Sequence, residues 1–133
     1  GVRFNNNKSR YIMQAREMFS TNNKISIKNK IKEFGNDLDL RNWLVENVNG
    51  MGLKESGHFM RNIGKYENVT ILDRHILKNL NKHGVIAEIP NPLTKKQYLD
   101  IEEKMKIFCK EICVGIEEID LLFWSEETGE VFK

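Results

Sequence analysis

The stretch Asn47–Asn62, NVNGMGLKESGHFMRN, decides how this chain folds. Gly50 and Gly52 flank Met51, and Lys54 follows two positions after the second glycine. Glycine reaches backbone conformations that other residues avoid, so the pair reads as a tight turn. Apolar residues stand at helical spacing on both sides of it. Upstream, DLDLRNWLVENV opens at Asp39, a residue type favoured at helix N-caps, and carries Leu40, Trp43, Leu44 and Val48 as one stripe. Downstream, a helix is expected from about Leu53 to Ile63, stopped by Gly64. Residues from about 39 to 64 therefore form helix, turn and helix, with a lysine held at the start of the second helix. A lysine that only solubilises a surface needs no such anchorage.

The segments around this unit are helical too. Before it, NKSRYIMQAREMF places Tyr11, Ile12, Ala15, Met18 and Phe19 on one helical face, with Lys8, Arg10 and Arg16 elsewhere. KISIKNKIKEF puts Ile27, Ile31 and Phe34 at helical spacing, although its ISI start also fits a short strand. After it, Asp73 precedes RHILKNLNKH and Gly84, an N-cap and a C-terminal stop around one helix. EIPNPL holds both prolines and is a turn. Thr94 and Gln97 make a capping-box pair, with Leu93 and Tyr98 spaced as a hydrophobic staple, for a helix that runs to about Cys113. A last helix, IEEIDLLFWSEE, ends before Gly129. The expectation is an all-α chain of about seven helices in one domain over residues 1–133, with no convincing sheet.

Composition limits the function classes. Hydrophobic residues make up 40% and charged residues 30% of the 133, too apolar for disorder. No apolar run reaches the roughly 20 residues that span a bilayer, and GVRFNNNKSR has no apolar signal-peptide core. The net charge of +2 tolerates a polyanionic partner through local contacts without requiring one. Cys109 and Cys113 sit four apart in one expected helix, a poor spacing for a disulfide. They read as free thiols in a reducing cytosol, and His58, His75 and His83 show no metal-ligand spacing with them.

Helix, V-N-G-M-G turn and helix form a helix-hairpin-helix signal. Amides at the second helix's N-terminus favour an anion, and a DNA phosphate is the usual occupant, a contact that positions a protein without reading sequence. Gly50 and Gly52 are thus the candidate backbone-binding residues. A Gly-x-Gly turn alone is only moderately specific. Lys54 sharpens it, because Asp73 lies 19 residues further on, at an N-cap in ILDRHIL.

Gly-x-Gly-x-Lys in a hairpin, followed at this distance by an aspartate that opens a helix, is similar to the strand-cleaving helix-hairpin-helix DNA glycosylases. GMGLKESGHFMRNIG, ILDRHIL, the end IDLLFWSEETGEVFK and the start GVRFNNNKSRYIMQAR resemble the archaeal-type 8-oxoguanine DNA glycosylase/AP lyase group in particular. The loop GKYENVT lacks the Gly/Pro-rich composition of the wider superfamily, as in the archaeal-type group. The likeness covers essentially the whole chain. Members of that group carry several further helices before GVRF, so the fold is expected to be incomplete at its N-terminus.

The resemblance implies base-excision repair of duplex DNA holding oxidised guanine. Lys54 would attack the sugar C1′ of a flipped nucleotide and displace 8-oxoguanine. The Schiff base would then allow β-elimination 3′ to the abasic site. A lysine amine attacks only when neutral, a form that desolvation and nearby cations favour. Asp73 would stabilise the positive charge on the sugar and help move protons. Phe4 and Trp124 fall at positions of base-pocket walls, Asp120 at that of an acceptor for the base N–H groups, and terminal Lys133 closes on the base. His75 is implied as a phosphate contact, with a satisfied surface or core histidine as the plain reading. His58 reads as structural. No metal and no cofactor are required, no membrane is involved, and a monomer in a prokaryotic cytoplasm, associated with the nucleoid, is expected. Two alternatives stay open: a non-catalytic hairpin module that binds DNA backbone, and a glycosylase/lyase for other oxidised bases.

Overall fold

The computed structural model describes residues 5–130. They form seven helices and one minimal hairpin: α1 (Asn5–Met18), β1 (Ser20–Thr21), β2 (Lys24–Ile25), α2 (Ile27–Lys32), α3 (Asp37–Asn47), α4 (Leu53–Asn62), α5 (Arg74–Lys82), α6 (Lys95–Glu111) and α7 (Ile116–Thr128). None of the described helices is long and apolar enough to cross a membrane.

Local chemistry accounts for most of the boundaries. Asp73 Oδ1 accepts the amides of His75 and Ile76 at 2.8 and 2.9 Å and so starts α5. Thr94 and Gln97 form the expected reciprocal capping box on α6. Gly64, Gly84 and Gly129 end α4, α5 and α7 in the left-handed conformation. Three expectations need correction. The cap of α3 is Asn36, whose Oδ1 accepts the Asp39 amide at 2.9 Å, so the helix begins two residues before Asp39. Residues 24–34 are neither all strand nor all helix. β1 and β2 pair through a turn at Asn22 and Asn23, both at positive φ, which asparagine tolerates well, and α2 follows. The apolar face of α1 is narrower than its spacing implies. Tyr11, Ala15 and Phe19 turn inward, whereas Ile12 and Met18 are exposed.

Two hydrophobic clusters fill the interior. The first joins Leu40, Leu44 and Val48 of the hairpin's first helix and its end to Met60, Tyr66, Val69 and Ile71, with Phe19, Phe34 and Trp43 packed outside. The second joins α5, α6 and α7 through Ile76, Leu80, Ile101, Met105, Ile119 and Phe123. Helix α4 serves both, with Leu53 in the second and Met60 in the first. So does the extended strap from Val69 to Leu72: Val69 and Ile71 enter the first cluster and Leu72 enters the second. The strap delivers the chain to Asp73. Across the outer side of the second cluster, α5 and α7 are tied by ion pairs from His75 and Lys78 to Glu127 and from Lys82 to Glu126.

Candidate functional site

A single cavity of about 720 Å³ holds both Lys54 and Asp73 on its wall. Its apolar lining includes Val45, Leu53, Leu72, Leu77 and Leu93. Three helix N-termini open onto it: α4 through Gly52–Glu55, α5 through Asp73 and Arg74, and α6 through Thr94 and Lys95. Each N-terminus carries partial positive charge, and Lys54, Arg74 and Lys95 add cationic side chains. Asp73 brings a carboxylate into that surround. Both cap bonds go to its Oδ1, which leaves Oδ2 outside the cap. The Lys54 side chain is about half exposed, with Nζ 3.6 Å from Glu55 Oε1. An amine, a carboxylate and an apolar floor in one cleft are what nucleophilic amine chemistry on a ring-shaped substrate needs. Among the described residues no group of three or more His, Cys, Asp and Glu side chains is placed to hold a metal ion.

The two hairpin glycines differ. Gly50 has φ +85, and a Cβ there would lie 2.7 Å from the Tyr11 ring. Gly50 is thus fixed both by its left-handed backbone and by close packing from α1. Gly52 is extended, φ −84, a conformation open to any residue, so only the first glycine is needed for the turn's handedness. A Cβ at Gly52 would meet only Glu55 Oε2, at 2.9 Å.

The other expected site residues among the described ones, apart from Gly52, are not in this cavity's lining. Asp120 sits on the inner face of α7, 1% exposed, in an ion pair with Arg61 of α4. Asp120 is therefore not a solvated surface charge. Trp124 is half-buried one turn further along α7, where its carbonyl accepts the Thr128 hydroxyl. His75 follows Asp73 closely, with Nδ1 3.4 Å from Glu127 Oε2. His58 lies 3.4 Å from the Arg61 guanidinium. Phe4 and Lys133 lie outside the described residues. Sequence reasoning missed Arg61 as the partner of Asp120, because the two stand 59 positions apart with no local signal. It also read Tyr98 as a packing residue alone, although Tyr98 lines the cavity.

The chain is similar to proteins of known family. A family model described as 8-oxoguanine DNA glycosylase matches residues 1–114. The chain is 46% identical over 132 residues to the 8-oxoguanine DNA glycosylase/AP lyase of Fusobacterium nucleatum, covering 99% of this chain and 61% of that protein. It is 38% identical over 133 residues to the protein of the same name from Methanocaldococcus jannaschii, covering 100% and 61%. A crystal structure of the latter organism's 8-oxoguanine glycosylase/lyase, in complex with a 15mer DNA containing 8-oxoguanine, superposes with a TM-score of 0.84 over all of this chain and 61% of that one. The 8-oxoguanine DNA glycosylase of Thermotoga maritima superposes with a TM-score of 0.78 at 34% identity, over 100% of this chain and 60% of that one. The chain thus spans about three-fifths of the length of the curated relatives it matches.

Proposed function

The chain belongs to the 8-oxoguanine DNA glycosylase family, and from that premise we propose that it excises 8-oxoguanine from duplex DNA and cleaves the strand at the resulting site, with Lys54 as nucleophile and Asp73 as its carboxylate partner. The observation that carries the reading is the common cavity of Lys54 and Asp73, set at the N-termini of α4 and α5.

The neutral Lys54 amine forms a bond to C1′ of the extruded nucleotide while the C1′–N bond breaks. The departing base takes that electron pair and is protonated. Positive charge builds on the sugar, where the Asp73 carboxylate offsets it. A proton passes from the amine to O4′ as the C1′–O4′ bond opens, giving the protonated imine and a free 4′ hydroxyl. Loss of a C2′ proton expels the 3′ phosphate, and water finally releases Lys54. No metal or redox cofactor enters this balance.

In this reading the hairpin at Gly50–Gly52, the cationic rim and His75 hold the phosphate backbone, and the base is flipped towards the α7 side. Asp120, Trp124, Phe4 and Lys133 are assigned to its pocket. The substrate class is duplex DNA in a prokaryotic cell, and the acting species is a monomer.

Borohydride trapping tests this on three duplexes: one with 8-oxoguanine, one with an abasic site and one undamaged. An adduct with the oxidised base that disappears in Lys54→Gln is the expected result. Adduct on the abasic site alone would restrict this chain to the lyase step. Binding without any adduct would leave a backbone-binding hairpin module and remove the enzymatic reading.

A further inference from the structure

The strap that ends at Asp73 has no helical or strand hydrogen bonding of its own, yet Val69, Thr70, Ile71 and Leu72 are all buried. Its backbone polar groups still need partners: the Ile71 carbonyl accepts the Asp73 amide at 3.0 Å, and α6 supplies partners to Thr70 and Leu72. The Tyr98 hydroxyl donates to the Thr70 carbonyl at 2.9 Å and accepts the Leu72 amide at 3.1 Å. One turn along the same helix face, Glu102 Oε1 accepts the Thr70 amide at 3.1 Å and the Thr70 hydroxyl at 2.8 Å. Arg41 of α3 donates to that same Glu102 oxygen. From the opposite side α4 presses close. A Cβ at Gly57 would lie 2.8 Å from the Thr70 carbonyl oxygen, so the strap cannot shift towards α4. The phenol therefore grips the backbone on both sides of Ile71 and fixes the residue immediately before Asp73.

We propose that Tyr98 is a positioning residue for Asp73: its hydroxyl, bridging Thr70 and Leu72, sets where the Asp73 carboxylate stands relative to Lys54. The assignment rests on the reading of Asp73 as the carboxylate of the reaction. Tyr98 does this without touching the carboxylate. Burial pushes the phenol up to about 12, so it stays a neutral hydroxyl, both donor and acceptor, throughout the range in which DNA is handled. Phenylalanine preserves the ring packing among Leu72, Ile101 and the rest of the second cluster. Only the bridge is lost.

The test compares Tyr98→Phe, Asp73→Asn and the double variant under single-turnover conditions. The substrate is whichever of the oxidised-base and abasic duplexes the wild-type chain cleaves. Rates are corrected for folded fraction, and duplex affinity is measured alongside. Tyr98→Phe is expected to slow the reaction by about tenfold or more, the scale on which small misplacements act, with affinity unchanged. In the Asp73→Asn background it should slow the reaction no further, because the group it positions has gone. A wild-type rate in Tyr98→Phe, or the same fold loss in both backgrounds, would overturn the assignment. Amide exchange of the wild-type chain gives a second reading that survives a variant failing to fold: the Leu72 amide should be as protected as the core of α6, and fast exchange there would also overturn it. A wild-type chain that neither cleaves nor traps would overturn the underlying reading, and this assignment with it. A reactive wild type beside an unslowed variant overturns this assignment alone.

Discussion

Two carboxylates define two very different regions of this molecule. Asp73 stands at a helix start, on the wall of an open cavity that Lys54, Arg74 and Lys95 also line. Asp120 is buried on α7, in an ion pair with Arg61. The first has one oxygen engaged in the cap and the other outside it. The second is held by its neighbour, and a base that bonds to it must share it with Arg61 or displace that partner. Under the function proposed above, the contrast makes reaction and recognition separable in this fold. Three helix starts surround the cleft that holds Asp73 and Lys54, whereas Asp120 lies on α7, away from that lining.

The sharpest way to break the contrast is at Lys54. Lys54→Gln should abolish both strand cleavage and borohydride adduct while duplex affinity, measured by gel shift, stays within about twofold, because uniform binding does not depend on the nucleophile. Asp73→Asn should lower the single-turnover rate by about a hundredfold or more. Its thermal stability should change by less than about 1 kcal/mol, since asparagine caps a helix nearly as well. At the other carboxylate the balance inverts. Arg61→Ala removes an ion-pair partner from a buried carboxylate and should cost about 2–3 kcal/mol in urea unfolding, while borohydride trapping on an abasic duplex continues. If trapping is lost instead, the two regions are not separable. Gly50→Ala should destabilise by about 1–2 kcal/mol, since φ +85 and the Tyr11 ring both oppose a side chain. It should weaken duplex binding without altering the trapped fraction at saturation.

The smallest effect is one of pH. Burial raises the Tyr98 hydroxyl from 10.0 to about 12. In the unfolded chain this group ionises first, so its contribution to stability is complete below pH 10 and is lost as pH climbs towards 12. Alkaline unfolding should therefore begin in that window, and Tyr98→Phe should flatten its pH dependence there, as followed by circular dichroism.

How legible each feature was in the sequence depends on its range. Asp73, Thr94 with Gln97, and the terminal glycines announce themselves because capping is settled within four residues. The hairpin and Lys54 were legible for the same reason. Asp39 misled by one helical turn, since Asn36 is an equally good cap and lies upstream. The strands β1 and β2 escaped because two residues each leave no alternation to detect. Ile12 and Met18 show that helical spacing names a face without saying how much of it is covered. The pairs Arg41–Glu102 and Arg61–Asp120, 61 and 59 positions apart, were invisible. Nothing local marks a charge that folding will bury, and only the packing of α3 and α4 against α6 and α7 creates the match.

The strap between the two clusters has one further consequence. Because Val69 and Ile71 anchor in one core and Leu72 in the other, Asp73 sits at the joint where they meet. The residues that lead into Asp73 are thus held by both cores. Heat inactivation should therefore coincide with the melting of the whole domain instead of preceding it, and the protein's working temperature range should be set by its cores.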